Sequence, residues 1–209
     1  MKITVKKKTL YLLLAIVLLF AFFLGSGFTA FDFGTEKSDT ANHPFIKAAY
    51  AEAGTKEKFE YLSSQQSSYC GLQSTTVDSY SDEERIQGAC CSSMDLHRYQ
   101  EQVEELKKYK EIEVIPEDPY DMPASLAKQL FDYQKNIKLK NEEQAIYDNA
   151  MKIAGEGGPC CCKCWRWYAF EGQAKHLITQ YGWEAKEVAE LWDVEDGCGG
   201  IGHAHDGGH

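Results

Sequence analysis

The segment GGPCCCKCWRWYAFEGQAKHLITQYG, residues 157–182, joins a knot of thiols to a periodic apolar stripe. Phe170, Ala174, Leu177, Ile178 and Tyr181 recur at helical spacing until Gly182, the pattern of an amphipathic helix and its stop. Pro159 suits a first helical turn, because its missing N–H is one that a helix start leaves unpaired anyway. The spacing therefore predicts a helix opening at Pro159, with Cys160, Cys161, Cys162 and Cys164 in its first turn. Neighbouring side chains on a helix point in different directions, so this run is not ordinary core filling.

The helical period continues on both sides of that segment. Val188, Leu191 and Trp192 mark a shorter helix after it. Before it, Asn141 can cap a helix whose Ile146, Ala150 and Ile153 share a face and which Gly155, Gly157 and Gly158 stop. Pro123 suits the start of another, containing Leu126, Leu130, Phe131 and Ile137. Ser92 and Asp95 occupy capping-box positions ahead of Leu96, Tyr99, Val103 and Leu106, which places Cys90 and Cys91 just before a helix amino terminus. Pro44, Phe45, Ile46, Ala49 and Tyr50, then Phe59 and Leu62, also follow helical spacing. Residues 63–87 are polar and read as a long loop bearing Cys70. No strand-like alternation stands out. The reading is an all-α fold: a small helical bundle over residues 44–196 with long Cys-bearing loops, then a Gly/His tail over 197–209 that is expected to be flexible.

Residues 9–31 contain no ionisable group except Tyr11 and are just long enough to cross a hydrocarbon core about 30 Å thick. Lys2, Lys6, Lys7 and Lys8 precede them, a basic flank expected in the cytoplasm over residues 1–8. A cleaved signal peptide shares these features. The nearest small-x-small site, Ala49-Tyr50-Ala51, is however about 25 residues beyond the apolar core, too far for ordinary processing. The expectation is a retained single-pass membrane anchor, a linker over residues 32–43, and an extracytoplasmic domain. The chain has 22 basic and 32 acidic residues; without the four lysines of the flank the balance is 18 against 32, or −14. Phosphate binding needs the opposite sign, so nucleic acid is excluded as a natural partner.

The thiols define the chemistry. If the two predicted helix starts meet, Cys90, Cys91, Cys160, Cys161, Cys162 and Cys164 could converge on a soft metal ion, with His97 as a further donor. Zinc asks for four tetrahedral ligands, which three of these sulfurs and His97 could supply. Copper(I) prefers thiolates and thioethers, and would make Met94 an auxiliary. The usual spacings for iron–sulfur clusters are absent. Two other readings stay open. An exported chain with eight cysteines could be stapled by disulfides from the cluster to Cys70, Cys90, Cys91 and Cys198. Cys161-x-x-Cys164 at a helix start could also serve a thiol–disulfide oxidoreductase, although no βαβ pattern surrounds it. His203, His205 and His209 could bind divalent ions loosely. Trp165, Trp167 and Tyr168 should shield the thiols, and Arg166 beside a sulfur would favour its anionic form. No residues with supporting context for hydrolytic catalysis appear, so sequestration or delivery is expected rather than turnover.

At Pro159-Cys160-x-Cys162-x-Cys164 the spelling resembles bacterial exported proteins named for a PCYCGC motif. Cys161 stands where that group has Tyr, and Lys163 where it has Gly. The resemblance implies an envelope protein with metal or thiol chemistry, and an envelope partner.

Overall fold

The structure is a computed structural model and describes residues 44–65 and 72–198. The expected membrane segment, the linker, Cys70 and the histidines of the tail lie outside them. Among the described residues no helix is long and apolar enough to cross a membrane.

The described part is mostly helical, as the periodicity predicts. Its helices are α1 (Pro44–Ala49), α2 (Lys56–Ser64), α3 (Ser74–Val77), α4 (Leu96–Leu106), α5 (Ala124–Asn136), α6 (Asn141–Ile153), α7 (Trp165–His176) and α8 (Ala185–Val194). A 3-10 turn, Lys107–Tyr109, extends α4, and a π-helical turn, Leu177–Tyr181, extends α7. Asp95 caps α4 by accepting from the Arg98 N–H, one of the donors that a helix start leaves open. The helix therefore starts three residues later than the capping-box spacing predicts, with Asp95 and not Ser92 as the cap.

Two short strands were not foreseen. β1 (Arg85–Gln87) pairs antiparallel with β2 (Asp121–Pro123), with Ile86 opposite Met122. Three residues are too few for alternation to register as a pattern, and Pro123 lies at the end of β2. The bond from Gly88 N–H to Tyr120 O (2.8 Å) continues the ribbon beyond β1. Consequently the stretch from Gly88 to Cys91 is held beside Pro119.

The main packing is α5 against α7 and α6 against α8. Leu130, Phe131, Trp165, Ala169, Phe170, Leu177, Leu191 and Trp192 fill the larger core, and Leu62, Tyr99, Val103 and Tyr120 belong to a second one. α7 is buried nearly all round, with Arg166 and Gln173 inside along with its apolar residues. At Gly172 the backbones approach so closely that a Cβ would lie 1.9 Å from Leu130 O. Three positions of the predicted apolar faces turn outward: Tyr50, just past the end of α1, is 85% exposed, Ile153 56% and Tyr181 52%. The π turn explains Tyr181, since its wider spacing shifts the stripe off the core-facing side. Ile153 is the last residue of α6, where the chain is already leaving its neighbour.

Buried polar groups stitch the loops to the helices. Gln102 Nε2 donates to Val194 O (2.8 Å) and Asp196 O (2.7 Å), and its Oε1 accepts from Tyr120 Oη (3.0 Å). Gln173 Nε2 donates to Val114 O (2.9 Å) and Glu195 Oε1 (2.8 Å). Glu195 Oε2 and Gln173 Oε1 are buried without a hydrogen-bond partner, which favours the neutral, protonated form of Glu195. Burial pushes the Glu195 carboxyl up from 4.5 to about 8, against the bond from Gln173 and the attraction of Arg166.

Two outcomes follow from this packing. Gly172→Ala should cost about 3 kcal/mol, because only backbone movement can relieve the contact; a lowered urea midpoint at unchanged slope checks it. Glu195 favours its neutral form in the fold, so its contribution is complete below pH 4.5 and is lost as pH rises towards about 8. The loss approaches about 1.4 kcal/mol per pH unit within that window. Glu195→Gln should flatten the stability profile there, measured by urea unfolding across pH.

Candidate metal centre

The thiol run is not in a helix. After α6 the chain passes through irregular backbone over residues 157–164, and α7 begins only at Trp165, with Cys164 as its N-cap. This corrects the expectation of a helix from Pro159. Free of helical geometry, Cys160, Cys161, Cys162 and Cys164 need not radiate from an axis. Cys160, Cys162 and Cys164 instead bring their sulfurs within 4.8 Å of one another. The bend is fixed by Cys164 N–H donating to Cys162 O (2.9 Å) and by Trp165 N–H donating to Leu72 O (2.9 Å).

The second cysteine group lies beside this loop, before α4, as the sequence requires. Its partner is a surprise. Cys90 N–H donates to Gly197 O and Ser92 N–H donates to Cys198 O, both at 2.9 Å, so residues 90–92 and 197–198 run together. Cys198, which falls in the predicted flexible tail, is 2% exposed. Its sulfur is 3.0 Å from that of Cys161 and 3.7 Å from that of Cys160. Cys91 completes the group, 4.0 Å from Cys161 and 3.9 Å from Cys162. None of these pairs has the separation of about 2.05 Å that a disulfide requires.

Three trios meet the same limit of 4.8 Å: Cys91/Cys161/Cys162, Cys160/Cys161/Cys198 and Cys160/Cys162/Cys164. A metal–sulfur bond of about 2.3 Å separates two sulfurs by about 3.8 Å in a tetrahedral site and about 4.0 Å in a trigonal one. The clustered cysteines are thus within metal-binding distance. Five of the six predicted cysteine ligands belong to the trios, and Cys90 lies against them through a bond to Cys164. His97 belongs to none of the trios; it is exposed and pairs with Glu101 at 3.2 Å. Met94 packs with Leu62 and Tyr99 in the second core.

Arg166 governs the charge. It is fully buried at the start of α7, and its Nε donates to Cys90 Sγ at 3.1 Å. Its two terminal nitrogens donate to Pro119 O and to Gly88 O, the latter at 3.3 Å. The guanidinium carbon lies 4.8 Å from the centre of the Trp165 ring. A Cβ at Gly197 would come within 2.3 Å of that carbon, so only glycine allows the Cys198 segment to pass. Bonds from Cys164 and Cys198 hold the Cys160 thiol below its usual range, and the Arg166 charge helps. Cys198 and Cys164 are pushed up chiefly by their bonds to Cys160, and Cys90 by its bond to Cys164. The shifts make Cys160 the most acidic thiol of this group.

The missed elements are Cys198 and the structural weight of Arg166. The Asp-Gly before Cys198 reads as the beginning of a tail. Comparison with protein-family models, with characterised proteins and with solved structures finds no match. Function is therefore argued from this site alone.

Arg166→Met keeps the bulk but removes all three side-chain bonds. It should cost about 3 kcal/mol, because the Gly88 and Pro119 carbonyls lose their buried donor. Hydrogen exchange should accelerate at the Cys90 and Ser92 amides. Unchanged exchange there would show that the guanidinium does not hold the cysteine loops together.

Proposed function

We propose that the protein binds a soft metal ion, copper or zinc, through its clustered cysteines, for sequestration or delivery at the outer face of a membrane. The observation that carries this reading is the convergence of Cys91, Cys160, Cys161, Cys162, Cys164 and Cys198 into overlapping trios at ligand spacing. Soft thiolate donors select soft ions. The buried Arg166 charge supports it too. None of the ion pairs among the described residues includes Arg166, and its hydrogen-bond acceptors are two carbonyls and the Cys90 sulfur. A buried guanidinium needs an anion, and a metal–thiolate centre supplies one. The apolar run over residues 9–31 supports a single membrane anchor, with the cysteine domain outside the cytoplasm.

A disulfide-stapled interaction domain is the second reading, favoured by the 3.0 Å approach of Cys161 and Cys198. Full oxidation would, however, leave Arg166 buried beside neutral sulfur. Thiol–disulfide exchange has less support: Cys160, the thiol whose pKa is held down, is 3% exposed, and exchange needs an accessible thiolate.

Thiol counting combined with elemental analysis on the full chain, purified anaerobically in detergent, tests the reading. The expected result is reduced cysteines with stoichiometric copper or zinc, and loss of that metal when Cys160, Cys161, Cys162 and Cys164 are all replaced by Ser. Eight oxidised cysteines with no metal would establish the stapled domain instead.

A further inference from the structure

The three trios share sulfurs in a closed pattern. Cys161 belongs to the first and second, Cys160 to the second and third, and Cys162 to the first and third. Cys91, Cys198 and Cys164 each belong to one. We propose that the site holds three copper(I) ions in a ring, one per trio, bridged by the sulfurs of Cys160, Cys161 and Cys162 and completed by those of Cys91, Cys198 and Cys164. This rests on the metal-binding reading and specifies its ion and number.

The count of donors selects the metal. Three three-coordinate ions need nine metal–sulfur bonds, and three bridging plus three terminal thiolates supply nine. Zinc takes four ligands, so three zinc ions would need twelve, more than this pattern provides. Copper(I) accepts three thiolates and is soft enough to share them. The separations of 3.7, 3.9 and 4.0 Å already suit a trigonal ion, while Cys161 and Cys198 at 3.0 Å must open by about 1 Å to admit one. Both lie on irregular backbone, where such a movement breaks no helix.

Charge balance agrees. Loading exchanges up to six thiol protons, released to solvent, for three monovalent cations, and leaves roughly three negative charges on the cluster. Arg166 offsets part of that excess through Cys90, which lies between the guanidinium and Cys164. Cys90 falls outside all three trios. Its place is that of a positioning residue, not a ligand.

The test is an anaerobic titration of the reduced full chain in detergent with copper(I) in acetonitrile, against a colorimetric copper(I) chelator, followed by X-ray absorption on the loaded protein. Three retained ions, about three sulfur neighbours per copper and a copper–copper vector are expected. Retention of one or two ions, or of more than three, or absence of copper–copper scattering, overturns the ring while leaving metal binding standing. No retained copper overturns the ring; if the chain as purified, before reduction, also holds eight oxidised cysteines and no metal, the metal reading fails with it. Two variants test the assignment of sulfurs. Cys91 is exposed, and Cys91→Ser should lower retention to two ions, whereas Cys90→Ser should keep three. Any other pattern rejects the division between ring and outer cysteine.

Discussion

The Arg166 guanidinium, buried with two carbonyls and a sulfur as its acceptors, is the contact on which the arrangement of the cysteine loops depends. The three acceptors lie on two segments. Gly88 O and Cys90 Sγ fix the segment after β1, Pro119 O fixes the segment before β2, and Gly197 packs against the guanidinium face. Because Arg166 is in the first turn of α7, these loops are referred to the most buried helix of the fold. A planar group with five donors can hold several acceptors at once, which a lysine could not. The desolvation of that charge is a standing cost, and it is met where negative charge can accumulate on sulfur.

Backbone irregularity is the second requirement. On a helix, four thiols in five positions would spread around the axis; on the bent stretch 157–164 they fold back towards one another. The bend lasts only as far as Cys164, where the Trp165 N–H finds Leu72 O and the regular helix begins. Adjacent cysteines are thus useful here because the backbone between them is not helical. Cys91 and Cys198 then approach from two other segments that pair with each other through backbone bonds.

Much of the helical layout was legible from residue spacing. The stripe Leu96, Tyr99, Val103 and Leu106 and the Asp95 cap mark α4 because its other face is solvated. α7 is harder to read: it is buried nearly all round, so its period blurs, and Pro159 fits a loop as readily as a helix start. The cysteines announced a thiol site, and two of the three segments that build it were found. Cys198 is legible as a disulfide partner of the cluster but not as a member of the trios, since its link to Cys90 and Ser92 is made by backbone groups, which carry no signature in the sequence. Arg166 is legible as a charge beside a sulfur, but not as the tie between loops, for a related reason. A charged residue is ordinarily assigned to the surface, and only the tertiary fold supplies its three acceptors.

Holding the sulfurs by protein contacts has a consequence for metal exchange. Where ligands are gathered only by the ion, binding energy is spent on folding, as in small zinc domains. In this chain Arg166 and the paired segments 90–92 and 197–198 gather the sulfurs themselves, so affinity on the proposed assignment is governed by thiol protonation and access. Access is graded. Cys91 and Cys161 are exposed and Cys162 is half-buried, whereas Cys160, Cys164 and Cys198 are buried. The outer trio shares Cys161 with one inner trio and Cys162 with the other. On the proposed assignment these shared thiolates would let an ion move inward by exchanging one sulfur at a time. That gradient, from an open edge to a closed interior across shared ligands, is what a carrier of a soft ion needs, and it arises from which cysteines the loop turns outward.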